Sequence, residues 1–145
     1  MEDEALTQKI IGCAMAVHRT LGPGFLESVY QKAMAYELQR ADLKVVCECP
    51  IRVTYAGIDV GDFSADMLVE ERILIENKAV HLLCIAHEVQ LVHYLTATGI
   101  ETGLLFNFGA ESLQFKRKSR TYRPKANITS TMDGPPSTGG SANPD

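Results

Sequence analysis

Two apolar runs, Phe63–Val69 and Ile73–Ala79, flank the polar triplet Glu70-Glu71-Arg72. Short Val-, Ile- and Leu-rich runs around a tight polar loop read as an antiparallel hairpin. Across this loop Val69 faces Ile73. Counting outward, Leu68 faces Leu74, Met67 faces Ile75 and Asp66 faces Glu76. Side chains alternate along a strand, so Asp66, Leu68, Leu74, Glu76 and Lys78 share one face. Opposed residues bring their Cβ atoms to about 4.5–5.5 Å. This register sets two carboxylates against each other at the end of apolar strands, which is destabilising unless a positive charge compensates.

Two sources of that charge are available. Lys78 lies two residues from Glu76 on the same face. A divalent cation between Asp66 and Glu76 would supply more, and Mg²⁺ prefers one or two carboxylates with several waters. Such a cation can lower the pKa of water, and Lys78 can orient that water or stabilise charge on a phosphate. The plainer alternative is a surface hairpin whose ends carry ordinary charged residues, since Asp-x(9)-Glu-x-Lys is a weak pattern alone.

The rest of the chain supplies the setting. Leu6, Ile10, Ala14, Val17 and Leu21 recur at helical spacing over residues 4–20. Gly22-Pro23-Gly24 breaks the chain, and a second helix runs from Phe25 or Leu26 to about Arg40, with Val29, Ala33, Tyr36 and Leu38 as its apolar positions. Strands follow at Val45–Cys49, Ile51–Tyr55 and Ile58–Val60, with Pro50 marking an edge or a break. After the hairpin, a helix spans about Ala86–Thr98, with Val89, Val92 and Leu95 on one side and Gly99 as its stop. Gly103–Phe108 is the last apolar strand. The order predicts an α/β or α+β domain, a central mixed sheet flanked by helices, over residues 1–124. Residues 125–145 are rich in Ser, Thr, Gly, Pro and Asn and are expected to be a disordered tail.

The 145 residues suit one core. No apolar run approaches the roughly 20 residues that cross a bilayer, so no membrane partner is expected. The acidic start, Met1-Glu2-Asp3-Glu4, is unlike a secretory leader, and the chain reads as cytoplasmic. Cys13, Cys47, Cys49 and Cys84 contain no Cys-x-x-Cys pair, which argues against structural zinc; Cys47 and Cys49 would share a strand face. The net charge of −4 argues against indiscriminate nucleic-acid binding. Lys116, Arg117, Lys118, Arg120, Arg123 and Lys125 nevertheless form a basic stretch, either a phosphate-binding segment or a solvated tail.

Gly24-Phe25-Leu26-Glu27-Ser28-Val29-Tyr30 fits the signature of the GxxExxY proteins. The resemblance extends through Val17-His18-Arg19-Thr20-Leu21-Gly22-Pro23-Gly24, Ala65-Asp66, Ile75-Glu76-Asn77-Lys78-Ala79, His87-Glu88-Val89-Gln90 and Phe106-Asn107-Phe108-Gly109. It covers nearly all of residues 5–118 in order. That family is placed in the PD-(D/E)xK nuclease superfamily, which has a restriction-endonuclease-like central mixed sheet flanked by helices. The resemblance implies that Asp66 and Glu76 bind metal, that Lys78 is the lysine of the Glu-x-Lys element, and that Glu27 is an additional metal-binding acid. Gln90 matches a glutamine on the following helix, and Tyr94 completes a Gln-x-x-x-Tyr pattern on the same helix face. Two positions depart from the family: Asn77 stands where an apolar residue is usual, and Ala65 where proline is. Alternation points Asn77 at the core, where an unpaired amide costs about 1–3 kcal/mol.

Plainer readings stand beside these. Glu27 also suits a helix N-terminus. His18, near the end of its helix, reads better as a structural histidine than as a ligand. Gln90 and Tyr94 could simply pack at the sheet edge. The leading expectation is a Mg²⁺- or Mn²⁺-dependent nuclease acting on nucleic acid, DNA favoured over RNA, with Lys116, Arg117, Lys118, Arg120 and Tyr94 contacting the substrate. The alternative is a nuclease-fold module that binds nucleic acid or protein and cleaves little or nothing. A thiol enzyme built on Cys47 and Cys49 fits poorly, because no helix N-terminus lowers a thiol pKa there. Exposed strand edges would allow a homodimer.

Overall fold

A computed structural model describes residues 2–120. The tail expected over 125–145, together with Arg123 and Lys125, lies outside the described residues. The elements are α1 (Glu2–Leu21), α2 (Glu27–Arg40), β1 (Val45–Tyr55), β2 (Ile58–Val69), β3 (Ile73–Lys78), α3 (Ile85–Thr98), β4 (Thr102–Asn107) and β5 (Gln114–Ser119). The strands form one sheet in the order β1-β2-β3-β4-β5. Among the described residues only β3 and β4 pair in parallel, joined by the α3 crossover. The sheet is therefore mixed, as the element order predicts.

Helices cover both faces. On one, Leu6, Ile10, Ala14 and Val17 of α1 and Tyr30, Met34 and Leu38 of α2 pack on Met67, Val69, Ile73, Ile75, Leu104 and Phe106. On the other, Leu91 and Leu95 of α3 pack on Ile51, Ala65, Leu74 and Leu105. Covered on both sides, β3 and β4 are buried almost throughout, which explains their unbroken apolar runs. Among the described residues no helix is long and apolar enough to cross a membrane.

Several sequence readings are corrected. The buried stripe of α2 is Tyr30-Met34-Leu38, whereas Tyr36 is 60% exposed. Tyr30 can go inside because its hydroxyl finds partners there. In α3 the buried pair is Leu91 and Leu95, and Val89 faces outward. Pro50 does not break β1; it sits within an edge strand, where a missing N–H is tolerated. The three short strands before the hairpin merge into longer ones: Val45–Cys49 and Ile51–Tyr55 form β1, and Ile58–Val60 joins the hairpin's first run in β2. A fifth strand was hidden in the basic stretch. Lys116, Arg117 and Lys118 erase apolar alternation, yet their backbone pairs with β4, and charge on an edge strand discourages further pairing.

One glycine is fixed by close approach. A Cβ on Gly109, just after β4, would lie 2.4 Å from the Val80 carbonyl oxygen and 2.6 Å from the Val80 nitrogen. Backbone cannot swing aside as a side chain does. Gly109→Ala is expected to destabilise the protein by about 1–3 kcal/mol in thermal or denaturant unfolding. Gly12→Ala, in the interior of α1 with nothing within 4 Å, is expected to stabilise it by about 0.5–1 kcal/mol. Equal effects of the two would contradict this packing.

Candidate functional site

The β2–β3 ladder runs as counted, Val69↔Ile73, Leu68↔Leu74 and Met67↔Ile75, and then stops. At the next position side chains replace the ladder. Glu76 Oε2 accepts the Asp66 backbone N–H at 2.9 Å, and Asp66 Oδ2 accepts the Asn77 backbone N–H at 2.7 Å. Each acid thus satisfies a main-chain donor of the opposite strand, and the strands fork around the pair.

The fork has a cause in β2 itself. Met67 and Val69 pack with α1 and α2, but Ala65 packs with α3. Strict alternation would keep all three on one side. The strand therefore changes face at Asp66. Its neighbour β1 does the same: Val45 packs on the first core and Ile51 on the second, and between them Glu48 takes φ 55°. Meanwhile β3 keeps its alternation, so β2 turns away from it. Such irregularities re-aim side chains beside active sites.

Burial makes the pair costly. Glu76 is 5% exposed. Burial, then repulsion from Asp66 and Glu27, pushes its carboxyl up to about 7, against the Asp66 N–H and Lys78, which favour the charged form. Asp66 is also raised, first by burial and then by the charges of Glu27 and Glu48, with the Asn77 N–H and Lys78 opposing. The Tyr94 hydroxyl is raised by burial and then by the charges of Glu76 and Asp66. Its ring lies 6.0 Å from that of Phe63, itself half exposed.

Glu27 is brought in by the turn before it. Gly24 takes φ 117°, a value that suits glycine, and α2 begins at Glu27. The Tyr30 hydroxyl donates to the Gly22 carbonyl at 2.5 Å and accepts the Phe25 N–H at 3.1 Å. The Tyr30 ring stacks on Phe108 at 4.9 Å. The Gly, Glu and Tyr of the signature are thus one device: a turn, an acid at the helix start, and a buried anchor for both.

The outcome for the other candidates is mixed. Lys78 ends β3 on the acid face, half buried. Gln90 is exposed on α3, one turn before Tyr94, and among the described residues it makes no hydrogen bond to the acids. In β5, Arg117 pairs with Glu4 at 2.9 Å and Lys118 with Glu88 at 2.8 Å, and just after the strand Arg120 pairs with Glu101. Among the described residues Lys116 forms no ion pair, and its row crosses Leu105 to Glu76. His18 is structural in its contacts, its Nε2 paired with the Ala110 carbonyl at 2.9 Å. Asn77 is buried as its alternation predicts; its amide donates to Met67 Sδ at 3.7 Å, and its Oδ1 has no partner among the described residues.

Three polar residues were not singled out from sequence. Glu48 lies opposite Asp66, and Gln31 Nε2 donates to its Oε2 at 2.8 Å. Asn107 Oδ1 accepts the Val80 and Gly109 N–H groups and so fixes the exit of β3 beside Lys78. A strand face-change at a non-glycine residue leaves no mark in a single sequence.

The PD-(D/E)XK nuclease superfamily pattern matches residues 4–118. This chain belongs to that superfamily. Among curated proteins nothing matches it. Among solved structures, the crystal structure of SSO0001 is similar, with a TM-score of 0.54 and 18% identity. The match covers 66% of this chain and 50% of that one, so the chain spans about half the length of SSO0001, and the likeness bears on the fold alone. The sheet of a PD-(D/E)XK nuclease superfamily member accordingly carries the fork described above.

Among the described residues no group of three His, Cys, Asp or Glu stands ready to hold a metal ion together. The Asp66–Glu76 pair still suits a hard cation, being two oxygen donors with strong mutual repulsion and one nearby lysine.

Glu76 gives a pH signature in the metal-free protein. It holds its proton to about 7 when folded, against 4.5 as its ordinary value. Folding therefore takes up a proton between these values, so stability falls as pH rises from about 5 to about 7 and stays lower above. Glu76→Gln removes this dependence. By thermal unfolding without metal it should match the wild type near pH 5 and exceed it near pH 8, by on the order of 3 kcal/mol. Parallel pH profiles would contradict the buried, repelled carboxyl.

Proposed function

We propose that this chain is a Mg²⁺- or Mn²⁺-dependent nuclease that hydrolyses phosphodiester bonds in nucleic acid, with DNA favoured over RNA. The observation that carries the reading is the fork, where two half-to-fully buried carboxylates face each other with Lys78 alongside. Membership of a nuclease superfamily supports it. The Gly24, Glu27 and Tyr30 arrangement supports the finer assignment to the GxxExxY proteins.

In this reading Asp66 and Glu76 hold the cation, and Glu27 adds negative charge from the helix start. A bound divalent ion supplies Lewis-acid polarisation of the phosphate and a lowered pKa for water. Lys78 stabilises charge developing on the phosphate, and Gln90 and Tyr94 border the substrate from α3. The backbone N–H groups of Asp66 and Asn77 hold both carboxylates in place, limiting the reorganisation that catalysis needs. Of the basic strand, Lys116 is the residue best placed for phosphate; Arg117, Lys118 and Arg120 would first have to leave their acids. A cytoplasmic setting and a homodimer formed through strand edges complete the proposal.

Those same ion pairs, and the lack of a three-donor metal cluster among the described residues, favour a second reading: a nuclease-fold binding module with little cleavage. The thiol-enzyme alternative gains nothing, since burial pushes the Cys47 and Cys49 thiols up rather than down.

Incubation with single-stranded DNA, duplex DNA and RNA in Mg²⁺ or Mn²⁺ separates the readings. The nuclease should cut at least one of them, and Asp66→Ala should lower the rate about a hundredfold or more. Cleavage undiminished in Asp66→Ala would contradict the assignment. Nucleic-acid binding without cleavage would favour the module.

A further inference from the structure

Among the described residues Glu48 is the one non-glycine residue in the middle of a strand with a left-handed backbone, at φ 55°. A Cβ makes that conformation unfavourable, and glycine or asparagine would fit it more easily. Backbone strain of this kind persists where other interactions outweigh it. Here the compensation is visible in the side chain. Glu48 Oε2 accepts from Gln31 Nε2 at 2.8 Å, and its Oε1 accepts from Ser64 Oγ at 3.0 Å. Gln31 Nε2 also reaches the Asp66 carbonyl at 3.5 Å. Gln31 lies four residues after Glu27, on the same face of α2, and Ser64 lies two residues before Asp66. One carboxylate therefore ties the first turns of α2 to the segment of β2 that forks from β3.

We propose that Glu48 is a positioning residue of the fork: acting through Gln31 and Ser64, it fixes the start of α2, and with it Glu27, against the Asp66 segment. The assignment rests on the nuclease reading for its consequence, but its geometry is independent of it. Glu48 itself stays on the far side of β2 from Glu76, bonded to Gln31 and Ser64 rather than to Asp66 or Glu76. Its negative charge adds to the repulsion around Asp66, so the position is held despite an electrostatic cost.

Three variants of the full chain test this. Glu48→Gly relieves the strained backbone and removes the clamp. It should unfold at the same or a higher temperature than the wild type, while its Mn²⁺ affinity, measured by titration calorimetry, falls about tenfold. A residue with a purely structural role would instead lower the unfolding temperature. Glu48→Gln keeps an acceptor for Gln31 and should restore affinity to within about threefold. Gln31→Leu should match Glu48→Gly, and the double variant should be no worse than either. Unchanged Mn²⁺ affinity in Glu48→Gly, or losses that add in the double variant, would overturn the assignment. Wild-type protein that binds no Mn²⁺ would sink the nuclease reading alone. In that event the ¹H–¹⁵N resonances of Asp66 and Asn77 decide: movement in Glu48→Gly but not in Glu48→Gln supports positioning, and unmoved resonances overturn it.

Discussion

The crossed hydrogen bonds that the Glu76 and Asp66 carboxylates accept from the Asp66 and Asn77 N–H groups hold this sheet open. A buried backbone N–H must find an acceptor. Where β2 turns away from β3, the Asp66 and Asn77 N–H groups lose the ladder and take carboxylate oxygens instead. The fork needs side-chain acceptors at these two positions, and the acids are tolerated there because the fork supplies donors. The balance is incomplete, since burial and mutual repulsion still hold the Glu76 carboxyl near 7. That residual cost is what a cation would relieve.

Much of the surrounding structure serves to place this pair. Covered by helices on both faces, β3 gives the acid strand a rigid bed. Tyr30, stacked on Phe108, locks the glycine turn and sets Glu27 at the head of α2. Asn107 and Gly109 pin the chain as it leaves Lys78, the first by accepting two N–H groups and the second by letting backbones nearly touch. The strand β5 closes the sheet with charged residues, most of them already paired to acids. This sheet edge is therefore less cationic than its composition suggests.

The hairpin register was legible because its loop is short and its strands are strongly apolar, leaving one pairing that buries both. That count placed Asp66, Glu76 and Lys78 on a common face, and Asn77 on the opposite, buried one. Strand β5 leaves no apolar signature in the sequence, because edge strands need not be apolar. Apolar spacing alone misplaces the stripe of α2, because Tyr30 is buried through its hydroxyl bonds, which such spacing does not contain. Glu48 was invisible for a different reason. Its importance lies in a backbone reversal shared by two strands, and only the three-dimensional pairing brings it opposite Asp66.

A crystal grown with Mn²⁺ tests the proposed cation site in the fork. An anomalous peak bonded to carboxylate oxygens of both Asp66 and Glu76 is the expected result. Ordered Mn²⁺ elsewhere on the protein, with the two acids still bonded only to the backbone N–H groups of Asp66 and Asn77, would contradict it.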